Sequence, residues 1–171
     1  MSTLKSSWAL VLGVLLSLAA FGASAQESRI AYINVQRITS ESAPAKAATA
    51  KLESEFAKRQ KDLADLQSTL KSLGEKFERD APTMTDSQRG AKQKEYNDQG
   101  RDFQRKKREF DEDLNSRQNE ELRQVLDKAN KAIRQLAETE KFDLVVQEAV
   151  YFNPKIDITD KVIKILNSGS K

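Results

Sequence analysis

The sequence predicts an α+β fold: a long antiparallel helical hairpin, a coiled-coil arm, projecting from a small β body that closes by oligomerisation. Three observations lead there. Two apolar stripes with coiled-coil spacing are separated by one proline turn. The runs that read as strands lie only near the two ends of the processed chain. The chain is also poor in core material, with 171 residues of which 38% are hydrophobic, 6% aromatic and 32% charged, and a mean hydropathy of -0.67. That is too little for one large compact core. Six glycines and three prolines are too few for a turn-rich all-β fold.

The absence of cysteine and histidine removes several chemistries. Thiol nucleophiles, Cys/His zinc sites, disulfides and Ser-His-Asp arrangements are all excluded. The carboxylates sit in charge-rich helical contexts, which disfavours a carboxylate-pair hydrolase. The expectation is a protein that is not an enzyme, with no catalytic residue, cofactor or metal ligand.

The first 25 residues read as a secretory signal peptide. Lys5 supplies the positive start, and Trp8 to Ala20 forms a short uncharged apolar run. Ala23 and Ala25 are the small residues that precede a cut after Ala25. The run is shorter than the roughly 20 residues a membrane span needs. Processing removes Lys5, so the net charge falls from +3 to +2, and the mature chain is expected in an extracytoplasmic space.

The β body is assigned to 26–43 and 141–171, and the arm to 44–140 with its tip near 80–86. Arg29 to Val35 alternates with both faces apolar, which predicts a strand covered on two sides. Arg37 to Ser42 reads as a connector, with Ser42 and Pro44 opening a helix. Leu52, Phe56, Arg59, Leu63, Leu66, Leu70, Leu73 and Phe77 then alternate steps of four and three. That is a narrow coiled-coil seam broken once, at Arg59. Pro82 ends the helix, and Thr85 to Gln88 fits a capping box that starts the next one. The return stripe carries Tyr96, Gly100, Phe103, Lys107, Phe110 and Leu114. Two steps of four follow, through Gln118 to Leu122, before Val125, Ala129, Ala132 and Leu136 resume the pattern. Such a stutter locally unwinds a coiled coil. Each arm spans roughly 50 to 60 Å at 1.5 Å per residue.

Beyond the arm, Lys141 to Gln147 reads as a strand, Glu148-Ala149 as a reversal and Val150 to Phe152 as a second strand. Asp157 or Thr159 caps a last helix whose apolar side is Val162, Ile163, Ile165 and Leu166. So small a unit with open strand edges cannot bury enough surface alone. Pairing of edges between subunits is the simplest remedy, which predicts a homo-oligomer. Ile30, Tyr32, Ile33, Val35, Leu144, Val145, Val146, Val150, Tyr151 and Phe152 are the expected body and subunit-contact residues.

These blocks resemble a known family. The Ile30-Ala31-Tyr32-Ile33-Asn34-Val35 strand, the charged hairpin, Phe142 to Val146, Ala149 to Phe152 and Asp157 to Ile163 are together similar to the Skp/OmpH periplasmic chaperones. The resemblance implies a tentacled homotrimer, with a shared β body and three hairpins around a cavity. It implies an ATP-independent holdase that keeps unfolded outer-membrane proteins from aggregating during outer-membrane biogenesis. Some members carry an arginine-rich run linked to lipopolysaccharide. The matching place here reads Asn115-Ser116-Arg117-Gln118, and a basic run, Arg105 to Arg108, occurs earlier.

For client contact the tip residues Phe77 and Met84 offer apolar surface. Arg89, Lys92, Lys94, Arg105, Lys106, Lys107 and Arg108 offer charge, although four consecutive helical positions cannot share one face. The basic balance allows anionic lipid or lipopolysaccharide as a further partner. Rival readings are an envelope coiled-coil scaffold or secretion adaptor, and a nucleic-acid binder. Mixed-sign arms make a poor phosphate groove, so no specific nucleic acid is expected.

Overall fold

A computed structural model describes residues 28–169; the signal segment expected at 1–25 lies outside the described residues. The order is β1 (Ile30–Tyr32), α1 (Val35–Glu41), α2 (Ala43–Asp80), a tight turn at Ala81–Thr83, α3 (Asp86–Glu140), β2 (Leu144–Val146), a second tight turn at Pro154–Ile156, and α4 (Thr159–Ser168). Among the described residues no helix is long and apolar enough to cross a membrane.

The first strand is shorter than its apolar pattern suggests. The Asn34 side chain accepts a hydrogen bond from the Arg37 amide at 3.0 Å, capping α1. Val35 is therefore the first residue of a helix rather than part of the strand. The expected connector is that helix, and it places Ile38 in the core at 1% exposure.

β1 and β2 pair in parallel, Ile30 opposite Leu144 and Tyr32 opposite Val146. A parallel pair needs a long crossover, and the entire arm supplies it. The Ile33 amide extends the ladder to the Val146 carbonyl at 2.9 Å. On the other side of β1, the Ile158 amide donates to the Tyr32 carbonyl at 2.9 Å. The sheet turns Ala31 and Ile33 toward the helices. There they join Ile38, Ala129, Ala132, Leu136, Ile158, Val162 and Leu166 in one apolar cluster. Its small size and helical walls make the body more helix than sheet.

The opposite sheet face is only partly covered, at Tyr32, which is 9% exposed. Ile30 stays 43% and Leu144 51% exposed. Val150 to Phe152 forms no strand. Val150 and Tyr151 stand free at 110% and 82% exposure, and only Phe152 finds a partner, stacking on Tyr32 with ring centroids 3.7 Å apart. A third strand needs a ladder of backbone donors and acceptors, and this segment finds none among the described residues.

The arm follows its pattern closely. Lys51 meets Glu121, Glu55 meets Arg117 and Arg59 meets Asp113. These pairs step by four residues in opposite senses along α2 and α3, as an antiparallel hairpin requires. The 38 residues of α2 span about 57 Å. α3 has 55 residues, so it runs on past the start of α2 and carries Ala129, Ala132 and Leu136 into the body. The capping box forms as expected. The Gln88 amide donates to Thr85 Oγ1 at 3.3 Å, and the Thr85 amide donates to Gln88 Oε1 at 3.0 Å.

Two caps differ from expectation. Ser42 holds the cap position of α2, but its buried hydroxyl makes no capping bond and has no partner among the described residues. Asn167 of α4 accepts the Ala43 amide at 2.7 Å instead. Ile158 holds the cap position of α4, while Asp157 accepts the Thr159 amide at 2.8 Å. Thr159 in turn accepts the Asn34 amide at 2.9 Å, tying α4 to the end of β1. After α3 the chain turns through Lys141, whose φ of 56° is left-handed and redirects it into β2.

Candidate functional site

The arm is a thin two-helix object whose seam carries its stability, so its breaks are informative. At the first break, Arg59 fills the missing apolar position. Its guanidinium lies 5.6 Å from the Phe56 ring centroid and 5.8 Å from that of Phe110. The two rings meet edge to face at 5.6 Å. Nη1 of Arg59 also reaches Asp113 at 2.8 Å. An apolar stem over aromatics with a charged end in water is how arginine replaces a seam leucine.

At the stutter the seam runs differently from the apolar pattern. Leu122 is 45% exposed, and Glu121 is buried at 5%. The covered line runs through Leu114 and Arg117, both half-buried, to Glu121 and Val125, both buried, while Gln118 is exposed. Glu121 Oε1 accepts from Lys51 Nζ at 2.6 Å and from the Arg117 guanidinium at 3.1 Å. Lys51 holds its carboxyl below the ordinary range against the opposing effect of burial, and Arg117 adds to the pull. Arg117 also bonds Glu55 and Glu120. Hydropathy could not reveal Glu121; only the spacing of the stripe could. A groove of about 430 Å³ lies here between the helices, lined by Leu52, Phe56, Leu114 and Val125.

At the tip, Phe77 is half-buried, and so is Met84, which the sequence suggested would stand bare. The turn folds over it. The Met84 amide donates to the Ala81 carbonyl at 3.3 Å. Arg89 donates to the carbonyls of Ala81 and Met84 at 3.3 and 3.4 Å, so its charge braces the turn.

The remaining cations mostly have carboxylate partners on their own helix. Lys92 pairs with Glu95 at 2.8 Å, Lys106 with Asp102 at 2.9 Å and Lys107 with Asp111 at 2.6 Å. Arg105 pairs with Asp102 and with Glu109, the latter at 2.9 Å. Lys106 and Arg105 hold the Asp102 carboxyl low. Lys107 is exposed and does not join the seam. Among the described residues, Lys94 and Arg108 form no ion pair within 4.0 Å. The seven cations are thus spread along α3 rather than gathered into one patch.

Gly74 lies beside Tyr96 across the hairpin. A methyl at Gly74 would lie 3.4 Å from the tyrosine ring. Beyond it a larger open groove of about 900 Å³ runs along α3 past Gly100, with Leu70, Tyr96 and Phe103 on its apolar side. Among the described residues, no three carboxylates converge as a metal site would need. The arrangement offers weak apolar and charged contacts along a long arm.

The comparisons agree with this geometry. The family model described as outer membrane protein (OmpH-like) matches residues 29–166. A chaperone protein Skp from Yersinia enterocolitica is 31% identical over 92% of this chain and 96% of its own. The Skp of Photorhabdus luminescens is 34% identical over 85% of this chain and 90% of its own. In fold, the chain is similar to an OmpH-like outer membrane chaperone from Caulobacter crescentus CB15. The TM-score is 0.69 at 18% identity, covering 83% of this chain and 85% of that one. Members of this group are chaperones rather than enzymes, and this chain, matched along nearly its whole described length, belongs to the OmpH-like family.

Proposed function

We propose that the protein is an ATP-independent periplasmic holdase. It binds unfolded outer-membrane proteins between the arms of a homotrimer and keeps them soluble until they fold into the membrane. The observation that carries this reading is the bare edge of the body. Ile30, Leu144, Val150 and Tyr151 are exposed on a chain whose other apolar residues are mostly at least half covered. Soluble monomers rarely leave such residues contiguous and open. Sister subunits would cover them, with Val150 to Phe152 adding the missing strand across the contact. Each subunit then directs one arm away from a shared hub.

Arms that touch only along a narrow seam open locally at low free energy, so they suit clients of different size. Many weak contacts on several arms give avidity without a deep pocket. Phe77 and Met84 supply apolar contact near the tip. Lys94 and Arg108 are the cations most available to a client, while Arg89, Lys92, Arg105, Lys106 and Lys107 first have to leave their own partners. Anionic lipid would meet the same exposed cations. Binding the unfolded client stabilises it by mass action, and folding into the membrane is the deeper well that releases it.

The test uses the processed chain and a urea-denatured outer-membrane β-barrel protein diluted into buffer. The expected result is a soluble complex of about one trimer per client, with light scattering suppressed. A chain that sediments as one folded copy, or a client that precipitates regardless, overturns the reading. The precipitating client is also what the scaffold or adaptor alternative predicts.

A further inference from the structure

Two glycines inside α3, Gly90 and Gly100, lack a local packing reason: a Cβ at either would meet no atom within 4 Å. Glycine is unfavourable in a helix interior, so an open glycine there asks what its missing side chain leaves free. The two positions differ in one respect. Gly100 lines the open groove of about 900 Å³, and Gly90 does not.

The walls of that groove are chemically sorted. Leu70 of α2 and Tyr96 and Phe103 of α3 give it an apolar side, with Tyr96 38% exposed. Asn97 and Gln104 add amides that can both donate and accept. Arg101, Arg105 and Arg108 face it against Asp98 and Asp102, a surplus of one guanidinium. Arg101 pairs with Asp98, and Arg105 with Asp102. Arg108 is the cation with no carboxylate within 4.0 Å among the described residues.

We infer that the Gly100 groove is a client subsite that seats one aromatic side chain of an extended, unfolded polypeptide, with a neighbouring client carboxylate on Arg108. The ring lies over Gly100 between Tyr96 and Phe103, where any side chain on residue 100 would collide with it. Asn97 and Gln104 bond the client backbone, which in an extended chain has free donors and acceptors at every residue. The surplus guanidinium favours an acidic neighbour over a basic one. This subsite rests on the holdase reading and specifies which client segments the arm grips first.

The experiment compares Gly100→Leu with Gly90→Leu in the full processed chain. Both should raise the thermal midpoint, since leucine is the better helix former and neither position is crowded. Two probes are used: a denatured outer-membrane β-barrel protein, and twelve-residue peptides of alternating Thr and Val carrying one Tyr-Asp, Ser-Asp or Tyr-Lys pair. Gly100→Leu should weaken the Tyr-Asp peptide by about ten-fold, the scale of losing one buried aromatic ring, and Gly90→Leu by less than about two-fold. Arg108→Glu should reverse the order of the Tyr-Asp and Tyr-Lys peptides. Equal effects of the two leucines, or a wild-type arm blind to the Tyr-to-Ser change, overturn the subsite. If the wild-type chain holds the barrel protein soluble while the peptides show no such pattern, the subsite alone is wrong. If it fails to hold the barrel protein, the holdase reading falls and the subsite with it.

Discussion

Tyr151 is 82% exposed on the single chain, yet it follows Val150 at the bare edge where a sister subunit is proposed to dock. A tyrosine buries roughly 150–200 Å² when fully covered. Covering the exposed share therefore removes about 120–160 Å² from water, which at about 25 cal/mol per Å² stabilises the contact by about 3–4 kcal/mol per subunit. Taking the lower figure, a trimer loses about 9 kcal/mol when all three tyrosines become aspartate. The midpoint concentration for trimer formation varies as the square root of the dissociation constant. It should rise about 10³-fold, since about 1.4 kcal/mol is a factor of ten. Sedimentation velocity of wild type and Tyr151→Asp over a wide concentration range reads this directly. Circular dichroism reports whether the arm helices survive. A variant that still sediments as wild type at micromolar concentration would show that this edge is not a subunit contact. A helical wild type that is one copy at every concentration would refute the reasoning altogether.

Three further outcomes follow from the single chain. Glu121→Leu should raise the thermal midpoint, because leucine puts an apolar side chain at a buried position between the helices and frees Lys51 and Arg117 to return to water; Glu121→Ala should lower it. The Glu121 carboxyl has a depressed folded-state pKa, so its contribution is present above the unfolded value of about 4.3 and is lost as pH falls through the folded value. Urea titrations from pH 6 down to pH 3 should therefore show wild type losing more stability than Glu121→Leu, and parallel losses would remove the ion pair from the account. Lys141→Gly should stabilise by about 0.5–1 kcal/mol, since glycine adopts the left-handed φ of 56° without side-chain strain; a lower denaturation midpoint would contradict this. Val162→Ala, at a position with 0% exposure in the body core, should cost about 1–3 kcal/mol in urea unfolding, and a change below about 0.5 kcal/mol would mean the body core is loosely packed.

Much of the candidate site was readable as pattern. The seam, the proline turn, the Thr85 capping box and the last helix follow from spacing and local chemistry, because each is decided within a few residues along one chain. The site residues were less readable. Carboxylates three or four positions from Lys92, Arg105, Lys106 and Lys107 were visible in the sequence, but ion pairing depends on which rotamers meet. Glu121 looked like one more surface acid until α2 brought Lys51 opposite it. Arg89 looked free until the tip turned its carbonyls toward the guanidinium.

The sequence by itself determined the two arms and the clustering of apolar runs at the chain ends, since helical periodicity and turn chemistry are local. Only the tertiary structure decided that β1 and β2 run parallel, that the end of β1 is tied to α4 and that Val150 to Phe152 stays unpaired. Those outcomes depend on contacts between residues more than a hundred positions apart, such as the 2.9 Å bond from the Asn34 amide to Thr159. A strand exists only where a second backbone supplies its donors and acceptors, and no run of letters states which backbone that will be.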